Sequence, residues 1–428
     1  VEVTDDDLKF EWDIAPKAEV KAIFTHDGFL GEGDAADDSY ESVGVVLSLT
    51  PYYAEAGGQV ADTGTLEWEG GEITVSDAQR YAGYVLHVGA VKKGSLSVGD
   101  SVTCKVDYAR RRKIAPNHSM THVLNHALRE VLPGDVDQKG SLVDDQKLRF
   151  DFTAKGALSP DQLKKVEDLC RAQIAEKRSV SAEVIPLKDA MSISGLRAVF
   201  GETYPDPVRV LSIGNEIQEM LKDPESDKWS KASLELCGGT HVSNTAEAEA
   251  FTLIQEEAVA KGVRRITAFT GDLAKGTLKL GKEIEQKFDK VEKLSAAELD
   301  GVTTELRKEV DSSDISCVLK ASLRARLDQL IKKSMDEKKA QASKVVNLEI
   351  EEGKKALEAA SGEGKAFAVI SSNVGSDGKM LKSILSALGK AAPEMALMVV
   401  SEEGGKGVAQ LQVPKALHDK MTANDWLK

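Results

Sequence analysis

Short apolar or alternating runs follow one another through the first quarter of the chain: VKAIF (20–24), GVVLSLT (44–50), GTLEWEG (64–70), EITVSDAQ (72–79), GYVLHVG (83–89) and DSVTCKVD (100–107). Glycine, aspartate and other polar residues punctuate them at the close spacing of a small β-barrel, so strands are predicted from residue 18 to about 107. The period then changes. In NHSMTHVLNHALREVL (117–132), Val123, Leu124, Ala127, Leu128 and Val131 recur at helical spacing, which predicts a helix buried on that face. Asn117, preceded by Pro116, is its expected N-cap. A strand is predicted over 147–152, and a helix over 159–177 opened by Ser159-Pro160-Asp161. Strands and helices alternate up to Gly271 without an open doubly wound pattern, which favours an α+β class.

From Asp272 onward the apolar spacing is helical. Leu280, Ile284, Phe288, Val291 and Leu294 form one stripe, and Leu319, Leu323, Leu327 and Leu330 another. The polar break DSSDIS (311–316) between them predicts an antiparallel helical hairpin or coiled-coil arm. After the link EAASGEGK (358–365), AFAVI and MALMVV read as buried strands and KMLKSILSALGK as a helix, a small α/β unit. The expected organisation is therefore α+β multidomain: a β-barrel-like domain over 1–107, an α+β core over 108–271, a helical arm over 272–361 and a small α/β domain over 362–428.

Composition adds limits. A chain of 428 residues has room for about two to four domains, and 41% hydrophobic content is ordinary for a folded protein. A net charge of -14 argues against a generally basic nucleic-acid binder, but not against a local basic patch such as Arg110-Arg111-Arg112-Lys113. Cys104, Cys170, Cys237 and Cys317 are scattered without a disulfide framework, which fits a reducing, cytoplasmic setting. No apolar run reaches membrane-spanning length, no signal peptide is evident, and the acidic opening without Met reads as a fragment of something larger.

Candidate chemistry lies in two pairs. His118 and His122 are four apart on the predicted helix, so both imidazoles project from one face. Cys237 and His241 flank Gly238-Gly239, whose expected tight turn would fold a thiolate and an imidazole toward one point. Together the four donors suit a tetrahedral zinc ion. His126, one turn further on, is read as lining the helix and not as a ligand.

These two pairs belong to a larger set: Gln138-Lys139-Gly140-Ser141, Arg149-Phe150-Asp151-Phe152 and Gly262-Val263-Arg264-Arg265-Ile266, with the upstream stretch YAEAGGQVADTG (53–64). The set resembles the editing domain of alanyl-tRNA synthetases and the glycine-rich small β domain that precedes it, closely over about residues 15–275 and more loosely beyond. The related threonyl-tRNA synthetase editing domain shares the metal pairs but lacks the GGQ-containing β domain.

The resemblance implies a zinc-containing deacylase that hydrolyses serine or glycine from tRNA for alanine. The parent ligase would attach alanine with ATP, although no ATP site is found in this stretch. It implies that Thr121 recognises the serine hydroxyl, that Gln138 belongs to the editing pocket, and that the Gln59 loop approaches the tRNA acceptor end. Arg110, Arg111, Arg112, Arg264 and Arg265 would meet the tRNA backbone, and the arm and C-terminal domain would support a homodimer, with no membrane. Each residue also has a plainer reading: a hairpin turn at Gly57-Gly58, a solvated charge run at Arg110–Lys113, a Thr121 hydroxyl bonded to its own helix, a surface salt bridge at Arg264 or Arg265. The zinc could be catalytic or structural. Alternative functions are a free-standing deacylase and a non-enzymatic, zinc-stabilised scaffold for dimerisation or nucleic-acid contact.

Overall fold

The computed structural model describes residues 2–198, 203–420 and 422–426; Leu427 and Lys428, the end of the expected C-terminal domain, lie outside the described residues. The chain divides into two compact units, 1–287 with 310–324, and 288–309 with 325–428.

The first unit begins with six antiparallel strands: β1 (Lys17–Thr25), β2 (Val43–Leu47), β3 (Gly64–Trp68), β4 (Gly71–Tyr81), β5 (Tyr84–Lys93) and β6 (Ser101–Val106). They pair in the order β1-β2-β5-β4-β3-β6, and β6 pairs back onto β1, closing the predicted barrel and leaving no edge among these six. Alternation builds the interior. In β5, Val85, His87 and Val91 are buried while their neighbours are partly exposed. His87 is the one imidazole inside the barrel among the described residues; it contacts the Thr50 hydroxyl at 2.7 Å and the Val45 carbonyl at 3.0 Å.

Next comes α1 (Tyr108–Val131), which starts ten residues earlier than the sequence predicts. Asp107, not Asn117, is its N-cap, accepting from the Arg110 N–H at 2.9 Å. Pro116 therefore lies inside the helix, where it lacks an N–H and crowds the preceding turn. Burial of Ile114, Ala115 and Pro116 on the helix outweighs that penalty. Asn117, freed from capping, clamps the helix laterally: its Nδ2 donates to the Asp144 carbonyl at 2.9 Å and its Oδ1 accepts from the Thr270 hydroxyl at 2.7 Å.

Against α1 lies a four-stranded antiparallel sheet in the order β7 (Gln138–Val143), β8 (Leu148–Thr153), β13 (Val263–Thr270), β12 (Phe251–Ala260). The helix α2 (Pro160–Ala175) packs beside them, capped by Ser159 in a capping box with Gln162. Val123, Leu124, Ala127 and Leu128 bury against Phe150, Phe152, Val166 and Ile266 in one core, and Val131 is partly buried at its margin. A three-stranded antiparallel sheet, β9 (Val180–Ile185), β10 (Val208–Ile213) and β11 (Ser233–Leu236), carries the chain to the CGGTH turn. The class is mixed α+β, as expected.

The helical region departs from the prediction. It contains three helices, not two: α3 (Gly271–Val291), α4 (Leu299–Ser312) and α5 (Cys317–Gly362). The unforeseen α4 buries Leu299, Thr303, Leu306 and Val310, a stripe at helical spacing. Two threonines and a glycine make its propensity weak, so packing and not propensity supports it. In the second unit, Arg326 pairs with Asp289 and Glu292, and the Ser334 hydroxyl donates to the Ala296 carbonyl at 3.0 Å. The C-terminal strands β14 (Phe367–Ser371) and β15 (Ala396–Glu403) are parallel, joined through α6 (Gly378–Ala391). An additional strand, β16 (Lys406–Gln412), returns antiparallel to β15.

Candidate metal centre

His118 and His122 sit in the middle of α1 on one face, with ring centroids 5.2 Å apart and planes inclined by 15°. Directly after β11 the chain turns at Gly238-Gly239 and presents Cys237 and His241 to the same point. The Cys237 sulfur lies 3.4 Å from His118 Nε2 and 3.2 Å from His241 Nε2. One ligand atom from each of the four residues lies within 4.8 Å of the others, so the group could hold a metal ion. The three histidines are buried and Cys237 nearly so. Gly239 is required by contact: a Cβ there would stand 2.0 Å from His118 Cε1.

Each imidazole is oriented by a second partner on its other nitrogen. His118 Nδ1 faces Gln59 Oε1 at 2.6 Å, His122 Nδ1 faces Glu235 Oε2 at 2.7 Å, and His241 Nδ1 faces the Ser119 hydroxyl at 3.1 Å. Donation by each Nδ1–H leaves each Nε2 lone pair turned inward, the arrangement that metal-binding histidines use. The Nε2 of His122 is buried and has no hydrogen-bond partner. A buried nitrogen without a partner costs free energy unless something else satisfies it, so this atom fits a cation in the cluster.

Electrostatics agree. Burial alone would push the Cys237 thiol up, but His118, His241 and His122 outweigh it and hold the thiol well below its ordinary value, favouring the thiolate. Burial holds the His241 imidazole down at about 3 against the pull of Cys237, so it stays neutral. His122 moves the other way: burial opposes its charge, yet Glu235 and Cys237 raise it. A cation replacing that proton would keep both partners.

The glycine-rich loop of the barrel joins the site. Val60 N–H donates to the Val143 carbonyl at 3.0 Å and Val143 N–H to the Gly58 carbonyl at 2.7 Å, which sews the loop onto the edge strand β7. Gly58 has φ of +86°, and a Cβ on it would stand 2.4 Å from Ser141 Oγ. Gln59 is fully buried. Its Oε1 accepts from Thr240 N–H at 3.0 Å and its Nε2 donates to the Thr240 hydroxyl at 2.9 Å. Its side chain is therefore turned toward His118 and the CGGTH turn. Gln138 lies nearby on β7, with Nε2 at 3.3 Å from Ser141 Oγ.

Thr121 is buried beside His122, and its hydroxyl donates to the Asn117 carbonyl at 2.8 Å, the plain helix bond foreseen as the alternative. His126 stays out of the cluster; its Nε2 donates to the Lys231 carbonyl at 2.8 Å. The basic run divides. Arg111 is fully buried, bound to Asp62, the Glu11 and Pro51 carbonyls and the Tyr108 ring face, and offers nothing to a phosphate. Its position turns inward because α1 begins at Tyr108 and packs its first turn on the barrel. Arg110 reaches the Ala61 carbonyl and Asp145, and exposed Arg112 pairs with Asp13. Arg265 forks onto Asp151 with two bonds of 2.7 Å, and Arg264 pairs with Glu256.

Sequence reasoning missed Glu235, Ser119, Thr240 and Arg209. Arg209 donates to the Cys237 and Gly239 carbonyls at 3.1 and 2.8 Å and fixes the turn. Glu235 sits on β11, two residues before Cys237, which lies just past the strand's last residue.

Three family models match the chain: tRNA synthetases class II (A) over residues 2–110, the threonyl and alanyl tRNA synthetase second additional domain over 208–267, and the alanine-tRNA ligase domain over 274–338. The chain is 42% identical to the mitochondrial alanine-tRNA ligase of Saccharomyces cerevisiae over 333 residues, 77% of this chain and 33% of that protein. It is 36% identical to the cytoplasmic alanine-tRNA ligase of Dictyostelium discoideum over 441 residues, 100% of this chain and 46% of that protein. With the alanine-tRNA ligase of Schizosaccharomyces pombe it shares 35% over 433 residues, 99% of this chain and 44% of that protein. The chain thus spans less than half the length of these relatives, and no helix among the described residues is long and apolar enough to cross a membrane. By its three family matches and by relatives that align over up to its whole length, the chain belongs to the alanine-tRNA ligase family.

Proposed function

We propose that this chain carries the editing activity of an alanine-tRNA ligase: hydrolysis of the ester that joins serine or glycine to tRNA for alanine, in the cytoplasm. The parent enzyme would attach alanine to tRNA with ATP. The observation that carries the reading is the buried cluster of His118, His122, Cys237 and His241, adjoined by Thr121 and by the Gly58-Gln59 loop.

The donor set of three imidazole nitrogens and one thiolate fits zinc, which when bound supplies a fixed positive centre and Lewis acidity. Four protein donors make a closed set, so the ion's part in this reading is to hold α1 to the CGGTH turn. Gln59, Glu235 and Ser119 keep the three imidazoles in the ligating tautomer.

The Thr121 O–H is spent on the Asn117 carbonyl, which leaves the oxygen's lone pairs to accept from a seryl hydroxyl. That polarity matters, because one methyl separates alanine from glycine by only about 1–3 kcal/mol and a second pocket is needed to reject mistakes. Gln138, beside Ser141 and the glycine loop, would line the same pocket and orient the ester. An aminoacyl ester is reactive enough that a held water suffices and no covalent nucleophile is required.

Arg110, Arg112, Arg264 and Arg265 would meet tRNA phosphates by exchanging their present carboxylate partners, while Arg111 would not take part. In domain terms, 108–271 is the deacylase, 1–107 its β-barrel companion, 272–361 the arm and 362–428 the C-terminal unit, the last two serving a homodimer. His118→Ala tests the reading: zinc and seryl-tRNA hydrolysis should be lost together, and full activity in the metal-free variant would sink the zinc part.

A further inference from the structure

A cavity of about 170 Å³ opens at the C-terminal end of α1, away from the four ligands, and is lined by His126, Arg129, Arg197 and Lys231 together with Glu130 and Asp135. Three cations around one cavity are notable in a chain of net charge -14. Glu130 and Asp135 are both exposed, so water screens them. Arg129 is not so placed. Its Nε and Nη2 are cut off from solvent and have no hydrogen-bond partner among the described residues.

Glu235 acts on Arg129 through space, but its two oxygens are taken by His122 and by Asn125 at 2.7 Å each. His126 brings no charge to compete: its Nε2 donates to the Lys231 carbonyl, Nδ1 faces the Gln173 amide at 3.3 Å, and burial lowers its basicity. Arg129 lines the cavity with two donors that are unpaired in this conformation and would turn into it by a rotation of the side chain, and Arg197 and Lys231 stand as two long cationic arms at an exposed rim. Buried guanidinium donors without an acceptor are costly, and a tetrahedral oxyanion satisfies two of them at once.

We propose that this cavity is a binding site for a phosphate group, with Arg129 as the forked donor and Arg197 and Lys231 closing over it. A cavity of about 170 Å³ has room for one phosphate group. Two sources share this chemistry, free inorganic phosphate and the terminal phosphate of an RNA. The second rests on the deacylase reading, because Arg129 lies two turns along α1 from His122, close to where an RNA end would be held.

The test titrates the whole chain with inorganic phosphate and follows binding by calorimetry and by the shift in melting temperature. Wild type should bind saturably; Arg129→Gln should bind at least about tenfold more weakly, and so should Arg197→Gln, whose exposed side chain makes it safe for folding. Lys164→Gln, at an exposed cation on α2 outside the cavity, should bind as wild type does. No saturable binding, or binding indifferent to both substitutions, overturns the proposal. A hairpin RNA with a 5′-phosphate, compared with its 5′-hydroxyl twin, separates the sources: a preference for the phosphorylated form that Arg129→Gln removes assigns the site to an RNA end, and equal affinity for the twins assigns it to the free ion. Neither arm measures ester hydrolysis, so failure of the deacylase reading leaves phosphate binding standing, and the reverse.

Discussion

The Oε1 of Gln59 lies 2.6 Å from His118 Nδ1, joining a barrel loop to a candidate ligand on α1 from 59 positions away. The same oxygen accepts from Thr240 N–H in the CGGTH turn. One buried amide thus ties together the barrel, the helix and the turn, and it sets which nitrogen of His118 faces the cluster.

Gln59→Ala should therefore weaken metal binding by about 10- to 100-fold while leaving all four ligands in place. Competition with a chromophoric chelator measures this. Unchanged affinity would mean that Gln59 only fills space.

Gly239→Ala should be more damaging than its single methyl suggests, because the Cβ would stand 2.0 Å from His118 Cε1 and 2.3 Å from Nδ1. The imidazole or the turn must move, so metal content per chain should fall sharply. Elemental analysis of the purified variant gives the answer; full metal occupancy would show that the turn yields freely. Gly238→Ala, with nothing near its Cβ, serves as the control.

How much of this was legible in sequence follows from what each feature depends on. That His118, His122, Cys237 and His241 would gather into one cluster was readable, because spacing places His118 and His122 on one helix face and the Gly-Gly turn folds Cys237 back toward His241. The barrel was readable from period-two alternation. The start of α1 was not, because Pro116 signals a boundary that only tertiary burial overrides. Nor was the inward turn of Arg111, since a run of four cations reads as a solvated face until the helix phase is known. The α4 stripe was hidden by threonines whose propensity points elsewhere.

Arg111→Ala should destabilise the first unit by roughly 3–5 kcal/mol, since it strands the buried Asp62 carboxylate. Arg112→Ala, at an exposed pair, should change stability by no more than about 1 kcal/mol. Urea unfolding of the two variants compares them directly, and equal costs would contradict the assignment of Arg111 to the interior.

His87 makes the barrel sensitive to acid. Burial depresses its imidazole to about 4 from an ordinary 6.5, against a weaker upward pull from its bond to the Val45 carbonyl. Above pH 6.5 both folded and unfolded forms are neutral, and the full stability is present. As pH falls toward 4 the unfolded chain takes up a proton that the folded one refuses, so roughly 3 kcal/mol should be lost across that window. Unfolding free energies at a series of pH values, compared between wild type and His87→Gln, isolate this contribution; identical slopes for both would contradict it.

The most direct measurement is the hydrolysis rate of seryl-tRNA for alanine against alanyl-tRNA for alanine, at equal concentration of the zinc-loaded chain. The account predicts that serine is released much faster, that alanine is largely spared, and that Thr121→Val narrows the difference. Release of neither amino acid, or of both at the same rate, from folded protein that retains its metal would contradict it.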